Sequence, residues 1–141
     1  MGTRTLAIIK PDAMGANHHG KILARIVDAG FQVQAARIIK MSKSQAEGFY
    51  EIHRGQPFFE ELTAFMSSAP CMPMVLEKEN AVEQFRQLIG ATDPADAAAG
   101  TIRRDFASSV GENAVHGSDS DENAEKEVAF FFAVGDILAN L

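Results

Sequence analysis

Thr5-Leu6-Ala7-Ile8-Ile9-Lys10-Pro11-Asp12 is the stretch on which the fold turns. Thr5 to Lys10, apolar without interruption from Leu6 to Ile9, reads as a buried strand closed by Pro11, which has no backbone N–H to donate. The residues beyond have a helical period. From about Asn17 a helix is expected, with Ile22, Leu23, Ile26 and Val27 recurring at helix spacing and Gly30 where a left-handed C-terminal cap belongs. Phe31 to Met41 is a second strand. Ser42, with Gln45 three residues on, forms a capping box that opens a helix to roughly His53. Gly55-Gln56-Pro57 breaks it, and Phe58 to Ser67 is a further helix with Leu62, Phe65 and Met66 turned inward.

Met74 to Glu77 reads as a short third strand. Asn80 with Glu83 is a second capping box, opening a helix that carries Val82, Phe85 and Leu88 and stops at Gly90. Val128 to Val134 is apolar throughout and reads as a fourth, central strand. Between them lies Ala91 to Glu125, rich in small and polar residues. Irregular segments of that length are usually functional or disordered, and this one holds Thr92, Arg103, Asn113 and His116. The order of elements suits an α+β fold: a four-stranded antiparallel sheet covered by helices on one face, the ferredoxin-like arrangement. No repeat or linker is visible, so residues 1–141 read as one domain.

Hydrophobic residues make up 46%, enough for a core. Thirteen basic against nineteen acidic side chains leave a net charge of -6, which argues against general nucleic-acid binding. An anionic ligand would need the few cations gathered locally. Cys71 is the single cysteine, so no intramolecular disulfide can form. Leu6 to Ile9 is too short for a signal-peptide core, and Val128 to Val134 falls far below the roughly 20 residues of a membrane span. A cytoplasmic protein with no membrane attachment is expected.

Gly15-Ala16-Asn17-His18-His19-Gly20-Lys21-Ile22 nearly spells a phosphate-binding P-loop between a strand and a helix, with Val134-Gly135-Asp136 as a possible Walker B partner. Ile22 stands where the metal-binding Ser or Thr is required, and the supposed Walker B strand is the last element. Gly15 and Gly20 then shape a turn, and Lys21 is a solvated residue of the first helical turn.

Asn113-Ala114-Val115-His116-Gly117-Ser118-Asp119-Ser120 is the most distinctive segment. A histidine beside glycine and small polar residues has room next to its ring, and a largely neutral imidazole can attack phosphorus. Ser118 and Glu127 could orient the ring. A lone histidine in a polar loop is more often a surface residue, so context decides. Lys10 ends the first strand, Arg86 lies on the helix after Asn80, and Arg103 lies in the long segment. Singly each is an ordinary solvated cation; together they supply what a triphosphate needs. Thr92 and Asn113 offer neutral hydrogen bonds to phosphate or sugar. Phe58 could lie against a base or pack in the core with Phe59.

At these residues the sequence resembles the nucleoside diphosphate kinases. The segment Asn113 to Ser120 matches their active-site signature, continued by Ala124-Glu125-Lys126-Glu127. Ala7-Ile8-Ile9-Lys10-Pro11-Asp12 resembles their first strand. Tyr50, Pro57-Phe58-Phe59, Asp93-Pro94-Ala95 and Gly100-Thr101-Ile102-Arg103 fall in the expected order along nearly the whole chain. The resemblance implies a ping-pong transfer of the γ-phosphate of ATP or another triphosphate to a nucleoside diphosphate, maintaining triphosphate pools. It makes His116 the residue that carries the phosphate and Ser118 and Glu127 its supports. Lys10, Tyr50, Arg86, Thr92, Arg103 and Asn113 become phosphate and sugar contacts, and Phe58 the platform for the base. It also implies Mg2+ held mainly by the nucleotide phosphates rather than by protein ligands, and a homo-oligomer, a tetramer in preference to a dimer. The C-terminus is short, as in bacterial members.

Met14 to His19 departs from the family pattern. Gln56 stands where a basic residue is common, and Arg104 where a small one is usual; neither removes a matched active-site group. Two other functions remain open from the residues alone: a regulatory module that binds nucleotide without catalysis, and a histidine phosphocarrier for protein partners. The full set of His116, Lys10, Arg86 and Arg103 favours catalysis over the first. Phe58 and Thr92, which suit a nucleoside, count against the second.

Overall fold

The computed structural model describes residues 2–141. Four antiparallel strands form one sheet in the order β2-β3-β1-β4, with β1 Arg4–Ile9, β2 Gln32–Ala36, β3 Met72–Glu77 and β4 Val115–Gly117. β1 is central, which is why Leu6 to Ile9 are apolar at every position. Leu6 and Ile8 face one layer and Ala7 and Ile9 the other, because successive side chains alternate across a strand. All four are fully buried.

The expectation of helices on one face is corrected here: both faces are covered. On one side Leu6, Ile8 and Val75 pack with Ala46 of α3 (Lys43–Phe49), Phe59 and Met66 of α4 (Phe59–Met66), Val128 and Phe131 of α7 (Asp121–Phe131), and Ile137 of α8 (Val134–Leu138). On the other, Ala7, Ile9, Met74 and Leu76 pack with Ile22 and Ile26 of α2 (His19–Asp28), Phe85 and Ile89 of α5 (Ala81–Ile89), and Ile102 of α6 (Ile102–Phe106).

The fourth strand is also not where periodicity put it. Val128 to Phe131 belong to α7, whose start is fixed upstream: Ser120 Oγ accepts the Asn123 N–H at 3.1 Å. From that cap, Ala124, Val128 and Phe131 recur on one buried face at helix spacing, while Phe130 remains exposed. The true fourth strand is the three-residue β4, inside the segment that read as irregular; α6 lies there too. Pro11 does not merely end β1 but occupies the first turn of a short helix, α1 (Pro11–Gly15), where its missing N–H costs nothing.

The Ser42–Gln45 capping box forms as expected, with Glu51–His53 a separate 3-10 turn after α3. Asn80 caps nothing: its backbone is left-handed, at φ 55°, and its amide donates to Glu83 instead. β2 is shorter than expected, with a bulge between Val33 and Ala35, and pairing resumes only at the isolated Ile39–Cys71 bridge.

Candidate active site

β4 runs antiparallel to β1 and sets His116 opposite Ile8. The turn into it is strained, for Ala114 has φ 71°, and three contacts from the opening Lys10-Pro11-Asp12 hold it there. The Lys10 N–H donates to Ala114 O at 2.8 Å. The Ala114 N–H donates to Asp12 Oδ2 at 3.0 Å, and the Lys10 ammonium donates to Asn113 Oδ1 at 2.9 Å. The two most recognisable motifs of the sequence are thus one structural unit.

Glu127 reaches the histidine from α7. Its Oε1 lies 2.7 Å from His116 Nε2 and also accepts the Ser118 hydroxyl at 2.8 Å. Ser118 is itself fixed, because its Oγ accepts the Leu6 N–H at 3.1 Å. An ionised carboxylate can only accept, so Nε2 carries the proton and Nδ1 is left with a free lone pair. Burial lowers the His116 pKa below its ordinary value; Glu127 opposes this, and Lys10 and Arg103 add to it. The ring is therefore neutral near pH 7, the form that can act as a nucleophile.

Lys10 and Arg103 are held by amide and backbone groups rather than by ion pairs with acids. Arg103 donates to Gly90 O at 3.0 Å and Val115 O at 2.9 Å. Burial and the neighbouring Arg86 lower its pKa to about 10. Burial and Arg103 lower that of Lys10 to about 8, against the pull of Asp12. Asn113, having accepted from Lys10, donates to Thr92 O at 3.1 Å. Two buried donors on this wall, Arg103 Nε and the Tyr50 hydroxyl, have no partner among the described residues. Buried donors are seldom left unpaired, and such exceptions mark functional positions.

These groups share one cleft of about 470 Å³, lined by Lys10, Tyr50, Phe58, Arg86, Thr92, Arg103, Asn113, His116 and Glu127. Of the site residues that the resemblance implies, Ser118 alone does not line it; it is buried behind Glu127. Lys21 lies elsewhere, exposed at the start of α2, and Ile22 is buried in the core. Asp136 accepts the Ala133 N–H at 2.9 Å to open α8, so neither half of a P-loop exists.

Sequence reasoning missed His53, Leu62, Val110, Asp119 and Asn123, which also line the cleft. His53 stacks on Tyr50, with centroids 6.3 Å apart. The carboxyl of Asp119 is held below its usual range chiefly by the Asn123 amide at 2.7 Å. His53 ended an expected helix and Asp119 followed the histidine signature, and neither pattern reveals which way a side chain faces.

A sequence model of the family described as "Nucleoside diphosphate kinase" matches residues 3–137. The chain belongs to the nucleoside diphosphate kinase family. It is 60% identical over 137 residues to the nucleoside diphosphate kinase of Salinibacter ruber, covering 97% of this chain and 96% of that one. To that of Syntrophotalea carbinolica it is 57% identical, with 96% and 98% covered. Among solved structures, the Aquifex aeolicus nucleoside diphosphate kinase superposes with a TM-score of 0.94 at 44% identity, covering 96% of this chain and 98% of that one. The Halobacterium salinarum enzyme in complex with CDP gives 0.92 at 36%, with 97% and 91% covered. The general activity of nucleoside diphosphate kinases is a ping-pong phosphotransfer through phosphohistidine.

Proposed function

We propose that this chain transfers the γ-phosphate of ATP or another nucleoside triphosphate to a nucleoside diphosphate, with His116 as the carrier. The observation that supports it most is the pairing of His116 Nε2 with Glu127 in a cleft whose remaining polar groups are nearly all donors or cations. The Nδ1 lone pair attacks the γ-phosphorus. The Nδ1–P bond forms as the bond from phosphorus to the β-phosphate oxygen breaks, and the diphosphate departs with that electron pair. The ring becomes positive as it is phosphorylated, and Glu127, already accepting from Nε2, stabilises that charge. A second diphosphate then attacks along the same line in reverse.

Lys10, Arg86 and Arg103 offset charge on the transferring group and its leaving oxygens, and positioning by these groups supplies much of the catalysis. Tyr50, Thr92 and Asn113 hydrogen-bond phosphate or sugar oxygens, and Phe58, half exposed at the cleft mouth, carries the base. Ser118 acts by holding Glu127.

The family generally needs a divalent metal, and we take it to be Mg2+ borne on the nucleotide. The donor set fits that arrangement: Glu127 is committed to His116 and Ser118, which leaves Asp119 as the cleft carboxylate able to meet a hydrated ion. Met there by Asp119, the ion would supply positive charge to offset that of the phosphates during transfer.

The net charge of -6 supports nucleotides, rather than nucleic acids, as partners. No helix among the described residues is long and apolar enough to cross a membrane, and we place the reaction in the cytoplasm. One sheet shared by both core layers supports a single domain over residues 1–141, and we favour a homotetramer over a dimer.

The test is a chase. Protein incubated with γ-labelled ATP alone should hold an acid-labile phosphate, and an added diphosphate of a different base should carry the label away as its triphosphate. His116→Ala should retain nucleotide binding and lose both steps. Turnover near the native rate in that variant would overturn the mechanism.

A further inference from the structure

The cleft continues past Phe58. A second hollow of about 400 Å³ opens between α4 and the turn at residues 109–112, walled by Phe58, Leu62, Phe65 and Val110 and bounded by Glu61 and Glu112. Phe58, Leu62 and Val110 also line the phosphate end, so the two hollows form one slot. Two apolar surfaces remain uncovered in it, Phe58 at 47% and Val110 at 54% exposure.

The acidic pair is built into the walls. Glu61 Oε1 lies 4.0 Å from where a Cβ on Gly111 would stand, so the α4 carboxylate reaches across to the turn that carries Glu112. That turn is pinned. The Ser108 and Ser109 N–H groups donate to Glu112 O at 3.0 and 3.3 Å, and the Glu112 N–H donates to Ser109 Oγ at 3.1 Å. Neighbouring Glu60 is engaged by Lys43 at 3.1 Å. Neither Glu61 nor Glu112 joins an ion pair among the described residues.

We propose that Glu61 and Glu112 read the edge of the base and make this chain prefer guanine among its acceptor nucleotides. The proposal rests on the reading of the cleft as a nucleotide site with His116 at the phosphate end and Phe58 beside the base. A nucleotide so placed directs its Watson–Crick edge, the part farthest from the sugar, toward the two glutamates. Ionised carboxylates only accept hydrogen bonds. Guanine offers them two adjacent donors, N1–H and the 2-amino group. Hypoxanthine keeps N1–H alone, and uracil offers one N3–H flanked by two carbonyl oxygens that a carboxylate repels. Both glutamates are exposed, so each hydrogen bond is screened by solvent and discriminates by about three- to tenfold. That is far less than the roughly 10⁴-fold of a buried site built to pair one edge.

The test compares GDP with IDP, which share ring size and charge and differ by the 2-amino group, so that stacking cancels. The phosphorylated protein is mixed with GDP, IDP or UDP in a stopped-flow instrument, and the second-order rate constant for loss of the phosphoenzyme is measured. GDP should exceed IDP by about three- to tenfold and exceed UDP by more. In Glu61→Ala/Glu112→Ala the GDP constant should fall until the GDP-to-IDP ratio is near one. In Glu61→Gln/Glu112→Gln, which keeps size and can donate to a carbonyl, the GDP-to-UDP ratio should also collapse. A native GDP-to-IDP ratio near one, or a ratio untouched in both double variants, overturns the proposal. Failure of the underlying site reading would show earlier and separately, as no phosphoenzyme formed from ATP alone.

Discussion

At His116 burial and a carboxylate pull in opposite directions, and burial wins: the pKa lies below 6.5. Since the neutral ring attacks, the rate of phosphorylation should hold as pH falls through 6.5 and drop only below it. Lys10 works in the opposite sense. Its ammonium, the form that pairs with phosphate, persists below about 8 and is lost above. We therefore expect a bell-shaped kcat/KM profile for ATP, with the acid limb under 6.5 and the basic limb near 8. An acid limb above 6.5 would mean that Glu127 outweighs burial. Lys10→Ala or Arg103→Ala should cut transfer by about 10²-fold or more, because each removes charge stabilisation in a desolvated cleft. Lys21→Ala should cost little, and steady-state rates for the three variants decide between them. At this scale the grouping of these side chains was legible, because Asn113, His116 and Ser118 fall in one short run that Lys10 and Asp12 anchor. Glu61, Glu112 and His53 were not. Their place depends on which wall of the slot a polar side chain joins, and helical or loop patterns do not encode that.

Elements were legible where a local signal marked their ends. The Ser42–Gln45 box opens α3 and Gly90, at φ 88°, closes α5, both as read. Val128 to Val134 misled because seven apolar residues satisfy a strand and a helix equally. The deciding signal was the cap at Ser120, eight residues upstream, and it lay in a stretch already assigned to a loop. β4 was beyond pattern reading altogether: Val115-His116-Gly117 has no period, and it becomes a strand only because β1 offers it a partner. Gly117 shows how closely that short strand is fitted. A Cβ there would lie 2.8 Å from Phe85 Cδ2 and 3.3 Å from Ile89 Cδ1, and Phe85 is fully buried with nowhere to go. Gly117→Ala should therefore destabilise the fold by about 1–3 kcal/mol, the usual cost of overpacking a core, measured by denaturant unfolding. Because the clash pushes β4 away from α5, transfer should also fall under conditions where the variant is fully folded. Native stability in Gly117→Ala would show that the strand has slack.

At the scale of the whole molecule, the sheet leaves one flank unfinished. β2 is an edge strand, and bare strand edges are liabilities that proteins normally cover. Beside it, Asn140 after α8 donates to Gln34 O at 2.9 Å, so α8 lies along the same flank. Val134 and Leu138 of α8 are 74% and 61% exposed, and Ile38, just past β2, is 61% exposed. Exposed apolar side chains on α8 and just past β2 would suit the self-association proposed above. A two-fold axis at the edge would set β2 antiparallel to its copy, join two sheets into one and bury both α8 apolar faces in a single isologous interface. The active-site cleft lies around β4, at the opposite edge, and would stay open in such a dimer. Light scattering at micromolar concentration should thus give at least twice the 15.2 kDa chain mass, and four times if a second interface forms. Val134→Asp/Leu138→Asp places like charges across the axis and should yield monomers that still take label from ATP. A native chain that runs as a monomer, or a double variant that assembles as before, would place the contact elsewhere or remove it.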